Sequence, residues 1–496
     1  MRYKTTFRHF LALMLALIIG TNAHAFPENL KDLKQPVTNE ALFNLINEVQ
    51  KEDHISVSVE GKSVQGNPLY LLRFHHSPKP KWRLFFHAQQ HGNETSGKDA
   101  LTSLIKELAQ DKSLLPEDVD LYIMPLVNPD GAATYSRRNA AGADLNRDHI
   151  LLLQPETQAL HRVGRRIMPH IVVDGHEFKR DTGDYLDKGW KEWPVIMMGT
   201  ANSPLYSPAL YDLGKQWIDK VGQNMQRLGH NYERYFLAYY PPHGELRYST
   251  LEGDDGRNSF GLYYHSLSFI IESGVYRSIV EDPFFDIAQR TSAYLSIYKQ
   301  FIQDATSRTE ELEAIEASRS APVIPYIATN FFWGSDGNFD HTSKAIDLDT
   351  GETVEFTAPN FMTKRVVKRY VKTPHAYAIR SSNVDLIKPL LERHEIEYEV
   401  VSKKRNMSVE TCFLLALEND YDEVYERYEG RQIVRCKPAQ MREFQEGSLV
   451  VRLNSLQAKE VIVTIEPQML YGLFQYKAFA ELADSSNEIG VYRVME

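Results

Sequence analysis

The sequence predicts an α/β fold: a large N-terminal unit of alternating strands and helices, followed by a smaller α+β unit. Three observations carry this. Short apolar runs alternate with segments of helical spacing over residues 26–305. A polar stretch rich in Glu, Ser and Arg, Thr306–Ser320, interrupts the pattern. Beyond it, strand-like and helix-like segments recur on a smaller scale. The 496 residues can bury more than one core, and 43% hydrophobic with 25% charged residues excludes collagen-like, low-complexity and wholly disordered chains.

Residues 1–25 read as a secretory signal. Arg2, Lys4 and Arg8 form a positive leader, Phe10–Gly20 is an apolar run, and Ala23-His24-Ala25 is a small-x-small cleavage site. Such a run makes only ~16 Å of helix, about half a bilayer core. No later stretch is apolar enough to span. The expected location is therefore the periplasm or outside the cell, with no stable membrane insertion once the signal is removed. A net charge of −10 argues against a nucleic-acid partner. An oxidising compartment would permit a Cys412–Cys436 bridge, and two buried free thiols fit the sequence equally well.

The elements follow in order. Arg83–His87 is a short strand. Thr95–Gln110 is a helix with Leu101, Leu104, Ile105 and Leu108 on one face. Val119–Val127 is a strand running into an Asn128-Pro129-Asp130-Gly131 turn. His170–Asp174 and Leu267–Glu272 are further strands, and Phe284–Ala305 is a long helix. Residues 306–320 are assigned as a linker. In the remainder, 321–496, Ala376–Ile379, Asn383–His394 and Tyr398–Val401 suggest one βαβ unit without catalytic residues.

Glycine spacing excludes two nucleotide or hydrolase signatures. No two glycines lie two or four apart, which removes GxGxxG and GxSxG. A GxxxxGK run, Gly92–Lys98, is followed by Asp99 where a P-loop needs Ser or Thr.

The same segment has a better use. His91 and Glu94 form an HxxE pair at a strand-to-helix junction. His230/Glu233 and His394/Glu397 share the spacing but lack company. A catalytic zinc takes three protein ligands and leaves one position open. His176, at the end of the apolar run Ile171–Val173, can supply the third ligand, because sites in open α/β sheets form beyond the carboxyl ends of the strands. His176–Arg180 is not HExxH, which excludes a zincin helix.

The full set of landmarks resembles the M14 zinc carboxypeptidases: His91-Gly92-Asn93-Glu94, Asn128-Pro129-Asp130-Gly131, Arg138-Asn139, Asp144-Leu145-Asn146-Arg147, Asp174-Gly175-His176, and a strand ending in Glu272. The resemblance covers about 40–305. It implies a three-layer domain with a mixed, mostly parallel central sheet. It also implies one Zn²⁺ per chain, held by His91, Glu94 and His176. Asp144 would orient His91. Asn146 and Arg147 would grip the free C-terminal carboxylate of a peptide. Arg138 would stabilise the oxyanion, and Glu272 would act as general base toward a zinc-bound water. Of Tyr248, Tyr263 and Tyr264, Tyr264 is the leading counterpart of the family's mobile tyrosine. Arg257, 15 residues before Glu272, would line the side-chain pocket and favour an acidic terminal residue. The implied function is a zinc metallocarboxypeptidase. The alternatives are a murein-peptide amidase acting on a γ-glutamyl–diaminopimelate link, an acyl-amino-acid deacylase, and a peptide-binding protein that has lost catalysis.

Overall fold

The computed structural model describes residues 27 and 29–496, apart from 182, 240–244, 249–250, 252, 277–278, 336, 338–340, 359–360, 418–420, 423–426, 429–431, 455, 471, 477–478 and 480–481. The signal assignment at 1–25 lies outside the described residues.

An eight-stranded sheet organises the first half. Its strands are β1 (Ile55–Lys62), β2 (Pro68–Phe74), β3 (Trp82–Ala88), β4 (Val119–Met124), β5 (Ile171–Lys179), β7 (Ile196–Thr200), β8 (Tyr232–Arg234) and β11 (Leu267–Val275). The spatial order is β1-β2-β4-β3-β5-β11-β7-β8. The central four, β4-β3-β5-β11, run parallel, while β1, β2 and β7 enter antiparallel. The sheet is thus mixed and parallel at its centre, the α/β architecture expected. All nine residues of β11 are buried, as parallel strands covered on both faces must be.

Helices cover the two faces. They are α1 (Asn39–Val49), α2 (Ser96–Gln110), α3 (Pro155–Ile167), α4 (Pro208–Arg227), α5 (Gly256–Tyr263) and α6 (Ile287–Ala305). In α2 the buried residues include Leu101, Leu104, Ile105 and Leu108, the face anticipated from spacing. Trp217 of α4 stacks on Phe301 of α6 at 4.7 Å between ring centres and 11° between planes.

The stretch expected to be a linker is instead a docked helix, α7 (Thr309–Ser320). Ile315 and Ser318 are buried. Arg319 donates to the carbonyls of Met168, Pro169 and Tyr264. Its polar composition hides this because the Arg319 charge is spent on backbone acceptors of the first half, and Glu311 and Glu316 pair with Arg308 and Arg319.

The two halves also share sheets. β9 (Phe236–Tyr239) and β10 (Glu245–Tyr248) continue into β15 (Phe361–Lys372) and β12 (Tyr326–Ser335), in the order β12-β15-β10-β9. β6 (Trp190–Glu192) pairs with β13 (His341–Asp347), which pairs with β14 (Thr353–Ala358). At the end of β6, Glu192 is buried, and burial pushes its carboxyl up to about 8 against the pull of Arg180.

The final sheet contains Ala376–Ile379 and Glu399–Val400, as expected from the βαβ reading, with a helix over Val384–Arg393 between them. The two strands are not neighbours, however: each pairs antiparallel with Leu449–Arg452, which lies between them. Cys412 and Cys436 sit directly opposite on a long hairpin and form a disulfide.

Candidate metal centre

The site lies where β3, β5 and β11 end. β3 delivers the chain into a tight loop carrying His91 and Glu94 before α2 begins at Ser96. Gly92 makes this loop possible. A Cβ there would stand 2.0 Å from the Gly131 carbonyl carbon, so only glycine lets the loop close onto the turn at Pro129–Ala133. Asn128 locks the two together: its side chain accepts from Gly131 N (2.8 Å) and donates to Gln90 O (3.1 Å). The NPDG landmark is therefore the platform for the ligand loop. The P-loop reading has no support, since Lys98 is buried and paired with Asp99 (2.8 Å).

Three side chains converge. His91 Nδ1 lies 2.9 Å from Glu94 Oε1, His176 Nδ1 lies 2.9 Å from Glu94 Oε2, and the two Nδ1 atoms are 3.1 Å apart. Among the described residues this is the one cluster of three His, Cys, Asp or Glu with ligand atoms mutually within 4.8 Å, and all three residues are buried. The outer nitrogens are committed elsewhere. His91 Nε2 donates to Asp144 Oδ1 (3.0 Å) and His176 Nε2 to Asp174 Oδ2 (3.0 Å). Carboxylates at both Nε2 positions place the ring protons there, so both Nδ1 lone pairs face inward with the Glu94 carboxylate. Two imidazole nitrogens and one carboxylate are the donor set of a catalytic zinc. The residues fit that ion.

Surrounding groups hold the donors. The Glu177 backbone N–H donates to Glu94 Oε2 (3.0 Å). Glu177 itself is a buried anchor: its carboxylate accepts from Ser96 N (3.2 Å), at the start of α2, and pairs with Arg290. Burial pushes the Asp144 carboxyl up, but His91 and Arg137 overcome this and hold it well below the usual range.

Glu272 lies beside His176, the two being Cα partners across the parallel β5–β11 ladder. Burial raises its carboxyl to about 8; the Glu94 charge adds to this, and His176, a hydrogen bond from Tyr235 and Arg137 oppose it. A carboxyl held near neutrality is suited to taking up and releasing a proton.

Two expectations need correction. Arg138 does not face the ligands: it donates to Gly142 O (2.6 Å). Arg137 does, reaching Asp144 Oδ2 (2.9 Å), Glu94 Oε1 (3.3 Å) and His91 Nδ1 (3.2 Å). Neighbouring side chains on a non-helical stretch point opposite ways, so one register step exchanges them. Tyr264 is the second correction. It is buried, its hydroxyl lies 2.6 Å from His161 Nδ1, and its ring fills the space a Cβ on Gly164 would need. Tyr263 is also buried, donating to His149 O (3.3 Å), and Tyr248 packs on Trp333 and Phe361. The tyrosine on the catalytic side is Tyr235, bonded to Glu272, and no motif marked it among the 27 tyrosines of the chain.

Asn146 is buried: its Oδ1 accepts from Gly256 N (2.7 Å), and its Nδ2 is 3.4 Å from His176 Nε2. Arg147 is half-buried and donates to Asn146 O (2.7 Å), and its charge reaches both Asp144 and Tyr235. Arg257, on the first turn of α5, is buried and paired with Asp255 (3.0 Å). Its charge, like that of Glu272, acts on the Tyr235 phenol. Arg147, Arg257 and Glu272 therefore surround one tyrosine.

The chain is similar to several known proteins. Residues 43–159 match the family model described as zinc carboxypeptidase. Carboxypeptidase 2 of Trichophyton equinum is 25% identical over 414 residues, covering 78% of this chain and 72% of that protein. Carboxypeptidase 2 of Trichophyton tonsurans is 26% identical over 239 residues, covering 47% of this chain and 43% of that protein. Among solved structures, a metallo-carboxypeptidase from Pseudomonas aeruginosa aligns over 56% of this chain and 70% of its own, with 23% identity and a TM-score of 0.43.

Proposed function

The chain belongs to the M14 zinc carboxypeptidase family, and from that premise we propose that it releases the C-terminal residue of peptides as an exported bacterial enzyme. One observation carries the reading: His91 Nδ1, His176 Nδ1 and the Glu94 carboxylate converge, with Glu272 in register beside His176. Bound at these three ligands, Zn²⁺ supplies Lewis-acid polarisation of the scissile carbonyl and lowers the pKa of water.

The other steps belong to the chain's own residues. Arg147, with Asn146, grips the substrate's terminal carboxylate through its planar fork. Arg137 leans over the ligands and stabilises negative charge developing on the carbonyl oxygen. The Glu272 carboxylate takes the proton from the attacking water and delivers it to the leaving amine. The Tyr235 hydroxyl, bonded to Glu272, keeps that carboxylate turned toward the reacting atoms. Arg257 borders the space for the terminal side chain and favours an acidic one, with Asp255 holding its guanidinium in place.

Export is supported by the leader at 1–25 and by the Cys412–Cys436 disulfide, which suits an oxidising compartment. The test is terminal-residue release from peptides ending in Glu, Lys and Phe, beside murein peptides, with and without a chelator. Chelator-sensitive release fastest from Glu is expected. Release only from the murein link would replace the peptidase reading by the amidase one. A protein that binds no zinc and releases nothing would overturn both.

A further inference from the structure

A line of buried polar groups leaves the metal ligands and runs away from the substrate side. Asp174 Oδ2 receives His176 Nε2 at 3.0 Å and Gln90 Nε2 at 2.8 Å. Gln90 Oε1 receives His149 Nε2 at 2.9 Å. His149 Nδ1 is 2.9 Å from His161 Nε2, and His161 Nδ1 is 2.6 Å from the Tyr264 hydroxyl. Every member is fully or almost fully buried, and none but His176 is a ligand. Gly256 keeps the passage open: a Cβ there would meet Asp174 Oδ2 and Gln90 Nε2 at 2.8 Å and His149 Nε2 at 3.3 Å.

The line has a single consistent direction. Gln90 has one donor end and one acceptor end, and turning it over would set two acceptors against each other at Asp174. Its carbonyl therefore faces His149, which must carry its proton on Nε2. Burial keeps the His149 and His161 imidazoles neutral, pushing the first down to about 3 and the second well below its usual value. A neutral His149 with its proton on Nε2 accepts at Nδ1, so His161 also carries its proton on Nε2. Tyr264 then donates at the far end, its hydroxyl lying 2.6 Å from His161 Nδ1 and 3.1 Å from His161 O. Each bond polarises the next in the same sense.

Building on the zinc-enzyme reading above, we propose that Gln90, His149 and His161 are positioning residues that fix the orientation of Asp174. Through it they fix the Nε2–H tautomer of His176, and hence the affinity of the site for zinc. A ligand imidazole is held ready when its outer nitrogen has one defined acceptor. Here that acceptor, whose other oxygen lies 3.2 Å from His87 Nδ1, is held at Oδ2 by an amide, which is itself kept from flipping by two histidines.

The experiment uses the full-length protein and Zn²⁺ in competition with a chromophoric chelator, together with the melting temperature of the metal-free protein. His149→Phe keeps a planar ring but gives Gln90 no donor, and it should weaken zinc binding about tenfold. His149→Gln restores a donor at the Nε2 position and should return affinity to within about threefold of wild type. Zinc affinity of His149→Phe equal to wild type, or no recovery in His149→Gln, would overturn the proposal. If His149→Phe does not fold, ¹⁵N spectra of the wild-type imidazoles decide: Nε2–H tautomers at His149 and His161 support it, and Nδ1–H tautomers overturn it. Failure of the wild-type protein itself to take up zinc would instead sink the function on which the proposal rests.

Discussion

Glu272 and His176 are paired residue to residue across two parallel central strands, which puts the proposed general base one strand spacing from a histidine of the metal-site cluster. Neighbouring strands lie about 4.8 Å apart, and a one-residue slip of either strand would turn its side chain to the opposite face. Tyr294 tightens the arrangement from below by donating to the carbonyls of both His176 and Ile271. Binding and chemistry are thereby tied to one register.

Glu272→Gln keeps shape and removes the base. Turnover should fall by about 10²–10⁴-fold while bound zinc stays near one per chain. Steady-state rates beside elemental analysis test this, and retained turnover would remove Glu272 from its role.

Asp144→Ala removes the acceptor that orients His91. Zinc affinity should drop about 10–100-fold, measured by chelator competition. The substitution also deprives Arg137 of its carboxylate partner, so a fall in kcat of the zinc-loaded protein is expected alongside.

The two adjacent arginines make a matched pair of tests. Arg137→Met should lower kcat/KM about a hundredfold, with kcat falling more than KM rises, because the interaction is spent on developing charge. Arg138→Met should stay within about twofold of wild type, its guanidinium being bonded to Gly142 O. Reversed results would restore the sequence-based assignment.

Glu192 predicts a pH dependence of stability. Its carboxyl is raised from the ordinary 4.5 to about 8, so the folded chain holds this proton more tightly than the unfolded chain does. The resulting stability is complete below pH 4.5 and is lost as pH rises through 8. Glu192→Gln cannot ionise, so its advantage over wild type should grow across that window, to as much as about 5 kcal/mol. Urea midpoints at a series of pH values measure it; parallel curves would refute it.

The parts of the site that were legible in the sequence are those fixed locally. HxxE spacing at a strand-to-helix junction, a histidine ending one apolar run and a glutamate ending another already specify one end of a parallel sheet. What stayed hidden depends on turns and distant pairing. Choosing Arg137 over Arg138 requires knowing which way a loop backbone faces. Tyr235 and Gln90 carry no motif, and their roles come from Glu272, 37 residues away, and from Asp174, 84 residues away. Tyr264 follows the last turn of α5 and is buried against His161, a burial that ranking it ahead of Tyr248 and Tyr263 from the sequence does not reveal. In α7, polar composition concealed a helix whose arginine satisfies three carbonyls that no local pattern reveals.

The strands exchanged between the halves bear on how the protein can be dissected. A fragment stopping after α6 would leave β6 and β10 with bare edges where β13 and β15 now lie, together with the apolar side chains those strands cover. Open edges of that kind recruit other chains. Domain-by-domain expression should yield aggregates, and only the whole polypeptide should give soluble, assayable material.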